Sequence, residues 1–260
     1  MLRETLLSAG IAGLFAALVL TVAQLVWISP LILQAETYED AAEAAPVAHT
    51  HNDEAHEHSH EHADEHGVMA NVEHEPENAH EHHHDADEWK PDNGWQRISF
   101  TLVSNIVMGV GYALVLVGIY TLWQRPRGIG QGLLFGLAGF AVFFAAPGLG
   151  LPPELPGTEA AALAARQQWW VGTAIATAIG LGLLFAQKNW LLRAAGVAVL
   201  VAPHVIGAPH LATEASLAPE TLQTHFRVAT TVCNAAFWLL LGAISALASQ
   251  KFSRQQPFAS

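Results

Sequence analysis

Cysteine is almost missing from this chain. Cys233 is the only one in 260 residues, which excludes an intrachain disulfide and any thiolate cluster, so metal chemistry here rests on imidazole and carboxylate. Charge is scarce too: 13% of residues are charged and 52% are hydrophobic. That is too little charge to cover a soluble globule of this size, and a membrane protein is the class indicated. Bases are the scarcer sign, 11 Lys and Arg against 23 Asp and Glu. They form no patch with interleaved aromatics, which disfavours nucleic acid as a partner. Catalytic signatures are absent as well. The glycines of Gly128-Ile129-Gly130-Gln131-Gly132 are not followed by Lys and Ser or Thr, so there is no phosphate-binding loop, and neither a His-Glu-x-x-His pair nor a nucleophile elbow occurs. These absences argue against an enzyme, and no permanently bound cofactor is expected.

What is present is a series of apolar segments near the roughly 20 residues that a helix needs to cross a bilayer. They run from about Leu6 to Leu33, Ile98 to Trp123, Gly132 to Leu151 (stopped by Pro152 and Pro153), Trp169 to Ala186, Trp190 to Ile206, and Phe226 to Ala248. The expected fold is an all-α polytopic membrane protein of about six transmembrane helices. Five are possible, because the fourth and fifth segments are short and suit a tight helical hairpin. The first apolar run is too long for a signal-peptide core and reads as an uncleaved span. Residues 1–35 then form the first transmembrane helix, 36–97 an extracytoplasmic loop, 98–250 the remaining helices, and 251–260 a short cytoplasmic tail.

Orientation follows from the bases near helix ends. With the N-terminus inside, Arg3, Arg125, Arg127, Lys188, Arg193, Lys251 and Arg254 are cytoplasmic, against Lys90, Arg97, Arg166 and Arg227 outside. Every acid except Glu4 then lies outside. Trp27, Trp95, Trp123, Trp169, Trp170 and Trp190 fall near the interfaces, where indoles prefer to sit. The expected location is the cell inner (cytoplasmic) membrane, with both termini cytoplasmic and the long loop outside.

That loop carries the most distinctive pattern. Residues 36 to 92 hold 18 of the 23 acids and one base, Lys90. Twelve of the 15 histidines are His49, His51, His56, His58, His60, His62, His66, His74, His80, His82, His83 and His84. In an extended chain, residues two apart point the same way, so His56, His58, His60 and His62 can present several imidazoles to one divalent ion. The interleaved Glu57, Glu61, Asp64 and Glu65 raise the local cation concentration and add oxygen ligands. With many like charges and no apolar face, the loop is expected to be disordered when empty. Imidazole titrates near pH 6.5, so capture weakens below a pH of about 6. Selectivity is not encoded there, because such ligands favour copper, nickel and zinc over cobalt.

Polar residues within the spans are costly and therefore informative. Most fall in the outer half. Thr101, Ser104, Asn105 and Met108 share one stripe of the second segment, and Arg227, Thr230, Thr231 and Asn234 share one of the last, with Thr173 and Gln24 at similar depth. Read together, with Asn105, Met108 and Asn234 at their centre, they outline an outward-facing vestibule. Taken singly, such residues more often bond neighbouring helices. Ala-Pro-His occurs twice, ending at His204 and His210. On a continuous helix that spacing turns the second imidazole by about 240° and advances it roughly 9 Å, so the two converge on one ion only if Pro209 breaks the helix. Glu154 or Glu214 would complete such a metal site, while His225 reads as an interfacial residue beside Arg227.

Several strings carry a resemblance: WISPLILQAETYE over Trp27–Glu39, AAPGLGLPPELPG over Ala145–Gly157, ARQQWW over Ala165–Trp170, and the double Ala-Pro-His. With the topology, they resemble the CbtA family of probable cobalt transporter subunits over nearly the whole chain. The resemblance implies five spans rather than six and a divalent cargo, cobalt, with nickel or zinc as the loop's own alternatives. It also implies a link to cobalamin biosynthesis and a partner in the bilayer, a small single-span membrane subunit with its own histidine motif. From the residues alone, a transporter subunit competes with a membrane-anchored metal buffer or sensor that binds Co, Ni or Zn without moving it.

Overall fold

A backbone in lipid has no water to satisfy its N–H and C=O groups, so apolar runs that enter a bilayer close their hydrogen bonds within themselves as helices. The computed structural model describes residues 2–44, 91–123, 128–211 and 215–254, and its regular secondary structure there is helical. Among the described residues the only β pairing is an isolated bridge between Thr158 and Ser216. Helix α1 (Leu2–Ala23) runs through a π turn (Gln24–Ile28) into α2 (Ser29–Glu43). Next come α3 (Trp95–Trp123) and α4 (Ile129–Phe140), then a second π turn (Ala141–Ala145) leading into α5 (Ala146–Gly150). Helices α6 (Leu163–Ala186), α7 (Trp190–Ile206) and α8 (Glu220–Arg254) complete the chain order.

Five of these stretches are long and apolar enough to cross a membrane: Thr5–Glu43, Trp95–Leu122, Ile129–Gly150, Leu163–Ala186 and Glu220–Lys251. The sixth apolar segment is α7, a 17-residue helix that falls short of that length class. Several helices outrun the apolar segments that seeded them. The first continues past Leu33 to Glu43 because Ala, Glu and Gln propagate a helix and nothing in that stretch breaks it. Likewise α6 begins at Leu163 and α8 at Glu220. The histidine-rich stretch is thus flanked by helical stems rather than starting at residue 36.

Both π turns lie directly ahead of a proline. Pro30 and Pro147 lack an N–H and crowd the carbonyl four residues back. In each case the chain takes one wider turn, with Ser29 N–H reaching Gln24 O and Ala146 N–H reaching Ala141 O. The helix then continues instead of breaking. The hairpin expected between the fourth and fifth segments is present: Asn189 caps α7 by accepting the Leu191 N–H at 2.9 Å, and Arg193 Nε donates to Gln187 O at 2.8 Å. Helix α7 ends not at Pro209 but at Gly207, whose φ of +87° is a region that side-chain-bearing residues rarely adopt.

Lipid tails are as apolar as leucine, so helix association relies on close packing at small residues. Gly13 on α1 meets Gly109 and Val110 on α3. Gly132 and Gly136 on α4 meet Gly242 on α8, and Gly180 on α6 meets Gly196 on α7. Around the first two crossings α1, α3, α4 and α8 form the main body. Tyr120, Phe237, Leu20 and Leu241 are its largest fully buried side chains. Phe143 from the second π turn stacks on Trp238, with ring centroids 5.5 Å apart and planes 2° apart, while Tyr112 lies against both. The α6–α7 hairpin packs chiefly on itself and joins the rest through the second π turn and α5.

Candidate functional site

The candidate residues divide three ways. The twelve loop histidines, His49 to His84, and Glu214 lie outside the described residues. Asn105, Met108 and Asn234 sit on spanning helices, and Glu154, His204 and His210 lie at the end of the bundle where α5 finishes and α6 and α8 begin.

The stems of the histidine-rich stretch are tied together. Arg97, in the first turns of α3, pairs with Glu36 of α2 through both guanidinium branches. Nη1 donates to Oε2 at 3.2 Å and also to Asn93 Oδ1 at 2.8 Å, while Nη2 donates to Oε1. A two-pronged Arg–carboxylate pair fixes orientation as well as distance. Both side chains are about 30% exposed, so its stabilising effect is of order 1 kcal/mol or less.

Deeper in the main body, Asn105 is only 4% exposed. Its Nδ2 donates across the interface to Thr21 Oγ1 at 3.0 Å and to Gln24 Oε1 at 2.6 Å. Gln24 stands in the first π turn, so the amide clasps α3 to the point where α1 widens. Asn234 instead donates to Thr230 O of its own helix at 2.9 Å, and Met108 is exposed on the flank of α3. Each of the three is accommodated within its own surroundings. Asn105→Val is expected to destabilise the protein by about 0.5–2 kcal/mol, read as a lower midpoint of thermal unfolding in detergent. A clasp without a transport role leaves the half-saturating metal concentration where it was.

His204 lies in the last turn of α7, half-buried, with its ring edge-on to Trp169 at a centroid separation of 6.0 Å. Trp169 also packs over Gly150, beside Ala208. Trp169 Nε1 and Thr173 Oγ1, one turn apart on α6, are buried without a hydrogen-bond partner. His210 is exposed and has interactions of its own. Glu154 is engaged in an ion pair: Arg166 Nη2 donates to its Oε2 at 2.7 Å. Among the described residues no three His, Cys, Asp or Glu side chains gather to hold a metal ion. The expected convergence of His204, His210 and Glu154 is therefore not present in this conformation. The break that convergence requires is present, at Gly207 rather than Pro209; the physical obstacle is that Arg166 takes the Glu154 carboxylate.

Two cavities of about 480 Å³ each open at this end. One is mostly apolar, between the second π turn and α6, and includes Phe143, Phe144, Arg166 and Trp170. The other is polar, with Thr158, Ser216, Glu220, Gln223 and Arg227 on its walls. Its roof is stitched by Glu159 N–H to Ala215 O at 3.0 Å, Leu217 N–H to Gly157 O at 3.1 Å, and the Thr158 and Ser216 hydroxyls 3.0 Å apart. Glu154 lines both. Sequence reasoning singles out Glu154 but misses its partner. A basic residue in the first turn of a helix opposes the macrodipole, and Arg166 in that position after Pro152-Pro153-Glu154 was the available signal.

Residues 2–250, nearly the whole chain, match the family described as probable cobalt transporter subunit (CbtA). The chain belongs to the CbtA family. No curated protein and no solved structure matches it. For a CbtA chain, spanning helices and membership as a subunit are in keeping with work done in a bilayer beside another subunit, and a transported metal fits a protein whose candidate ligands are imidazole and carboxylate.

Proposed function

We propose that this chain is the membrane subunit of an uptake system for a divalent transition metal, cobalt first among the candidates. The observation that carries the reading is the CbtA match over residues 2–250 in a chain whose described residues include five long apolar helices. The histidine-rich stretch lies on the outer side and collects the ion. It is passed to the polar groups at the end of the bundle, and imidazole or carboxylate replaces part of its water so that entry avoids full desolvation. The chain works in the inner membrane with both termini in the cytoplasm, beside a small single-span subunit that carries histidine. His204 and His210 serve as successive stations rather than one three-ligand set, a reading supported by the lack of any gathered group of three His, Cys, Asp or Glu among the described residues.

A second reading has one observation in its favour. No three-ligand group is assembled among the described residues, while twelve histidines are concentrated in one stretch, as suits a membrane-anchored buffer or sensor for Co, Ni or Zn. Radioactive cobalt accumulation in cells lacking other importers separates the two, with and without the small partner. Accumulation well above background with the partner, reduced by His204→Ala in a protein that still folds, supports uptake. No accumulation in any combination, with cobalt still bound by the purified chain, establishes the buffer.

A further inference from the structure

Arg166 stands where electrostatics alone does not want it. It lies in the first turn of α6 (Leu163–Ala186), at the positive end of the helix macrodipole, and what holds its guanidinium is the Glu154 carboxylate at 2.7 Å. Neither side chain is deeply buried, 28% exposed for Arg166 and 21% for Glu154, so water competes for both and the pair is weak compared with a dry one. Glu154 is also the residue common to the two cavities: Arg166 reaches it from the apolar one, while the polar one presents Glu220, Arg227 and the Thr158 and Ser216 hydroxyls. Gln223 commits its amide nitrogen to Ala218 O at 2.9 Å. The charged groups that share a cavity wall with Glu154 are thus Arg166, which contacts it, in the apolar cavity and Glu220 with Arg227 in the polar one.

We propose that Arg166 is a tethered substitute for the metal ion, a positioning residue that keeps the Glu154 carboxylate aimed between the two cavities until an arriving divalent cation displaces it. A dication with most of its water retained gains more from the carboxylate than a guanidinium does, and oxygen groups suit a hydrated ion. On displacement the guanidinium turns out to water, which already reaches it, and Glu154 holds the ion together with Glu220. No covalent bond is made or broken; an ion of charge +2 replaces a guanidinium of charge +1 at Glu154, and the Glu220 carboxylate balances the second charge. This inference rests on the uptake reading for its purpose, but its test does not require transport.

The full chain in lipid nanodiscs, with Leu217→Cys on the wall of the polar cavity labelled by a trifluoromethyl thiol reagent, is titrated with Co²⁺ at buffered free concentration. Cys233 is buried and stays unlabelled. Paramagnetic Co²⁺ near Glu154 broadens the fluorine signal. Arg166→Gln is expected to lower the half-broadening concentration about fivefold, because the competitor is gone, and Glu154→Gln to raise it by about tenfold or more. Arg166→Lys, which keeps the charge, stays within about twofold of the parent. Identical curves for the parent, Arg166→Gln and Glu154→Gln overturn the exchange, as does a shift in Arg166→Gln that Arg166→Lys reproduces, which marks a structural pair. If the curves separate as expected but cells accumulate no cobalt, the exchange stands and the uptake reading fails. If the curves superimpose while cobalt uptake is normal, the exchange fails and the uptake reading stands.

Discussion

Removal of residues 49–88 is expected to raise the cobalt concentration for half-maximal uptake by about tenfold to a hundredfold, and to leave uptake at saturating cobalt close to that of the intact chain. The reasoning is one of local concentration. On the proposed uptake reading, twelve histidines among more than a dozen carboxylates would hold ions near the bundle in a stretch joined at both ends to helices whose Glu36 and Arg97 side chains pair. A tethered reservoir alters how much metal the bundle meets at low supply. It does not alter the rate of the step the bundle performs once it is full. Acidification mimics the deletion. Imidazole must be neutral to bind metal, so capture is complete above its ordinary pKa of about 6.5 and is lost as protons compete below it. Intact and shortened chains are therefore expected to converge at a pH of about 5.5 and to differ most at about 7.5, read as initial rates of cobalt entry at submicromolar supply. A shortened chain with no uptake at any cobalt concentration would instead mean that the histidines are the whole of the function.

Gly242→Leu is expected to be the most damaging single substitution in the bundle, costing about 3 kcal/mol or more. A Cβ there would lie 2.8 Å from the Cα and N of Gly136 and against the carbonyl of Gly132. The obstacle is backbone on the facing helix, which cannot swing aside as the end of a side chain can. Separating α4 from α8 to admit a leucine also unpacks Trp238, which is buried over Gly139 and stacked on Phe143. The measurement is the amount of protein in the membrane and its thermal midpoint in detergent. Gly118 on α3 is the control, since nothing lies within 4 Å of a Cβ added there. Gly118→Leu should accumulate normally, and equal loss from both would refute the close-crossing account.

Much of this architecture could be read along the chain. Apolar length placed the six apolar segments, the shortness of the fourth and fifth suggested the tight hairpin between α6 and α7, and the strings over Trp27–Glu39, Ala145–Gly157 and Ala165–Trp170 pointed to the CbtA family. Helix ends were less legible. Glu36 to Glu43 looked like loop because it is polar, yet polar residues with good helix propensity prolong a helix once apolar burial has nucleated it. The fifth segment, by contrast, ends at Ile206 as its apolar length indicated, and the break needed for His204 and His210 to converge comes at Gly207, which accepts a positive φ, rather than at Pro209.

The sequence by itself determined class, helix count to within one short helix, the segregation of charge, and the concentration of histidine and carboxylate in one stretch, because each of these depends on composition or on residues close in the chain. The tertiary structure alone decided which polar groups meet. Asn105 reaches Thr21 and Gln24, Arg97 reaches Glu36, and Arg166 occupies the carboxylate of Glu154. Those pairings depend on how each helix is rotated about its axis and how closely it approaches its neighbour. Both are set by the glycine contacts and the proline-linked π turns, and helical spacing along one segment carries no information about the rotation of another.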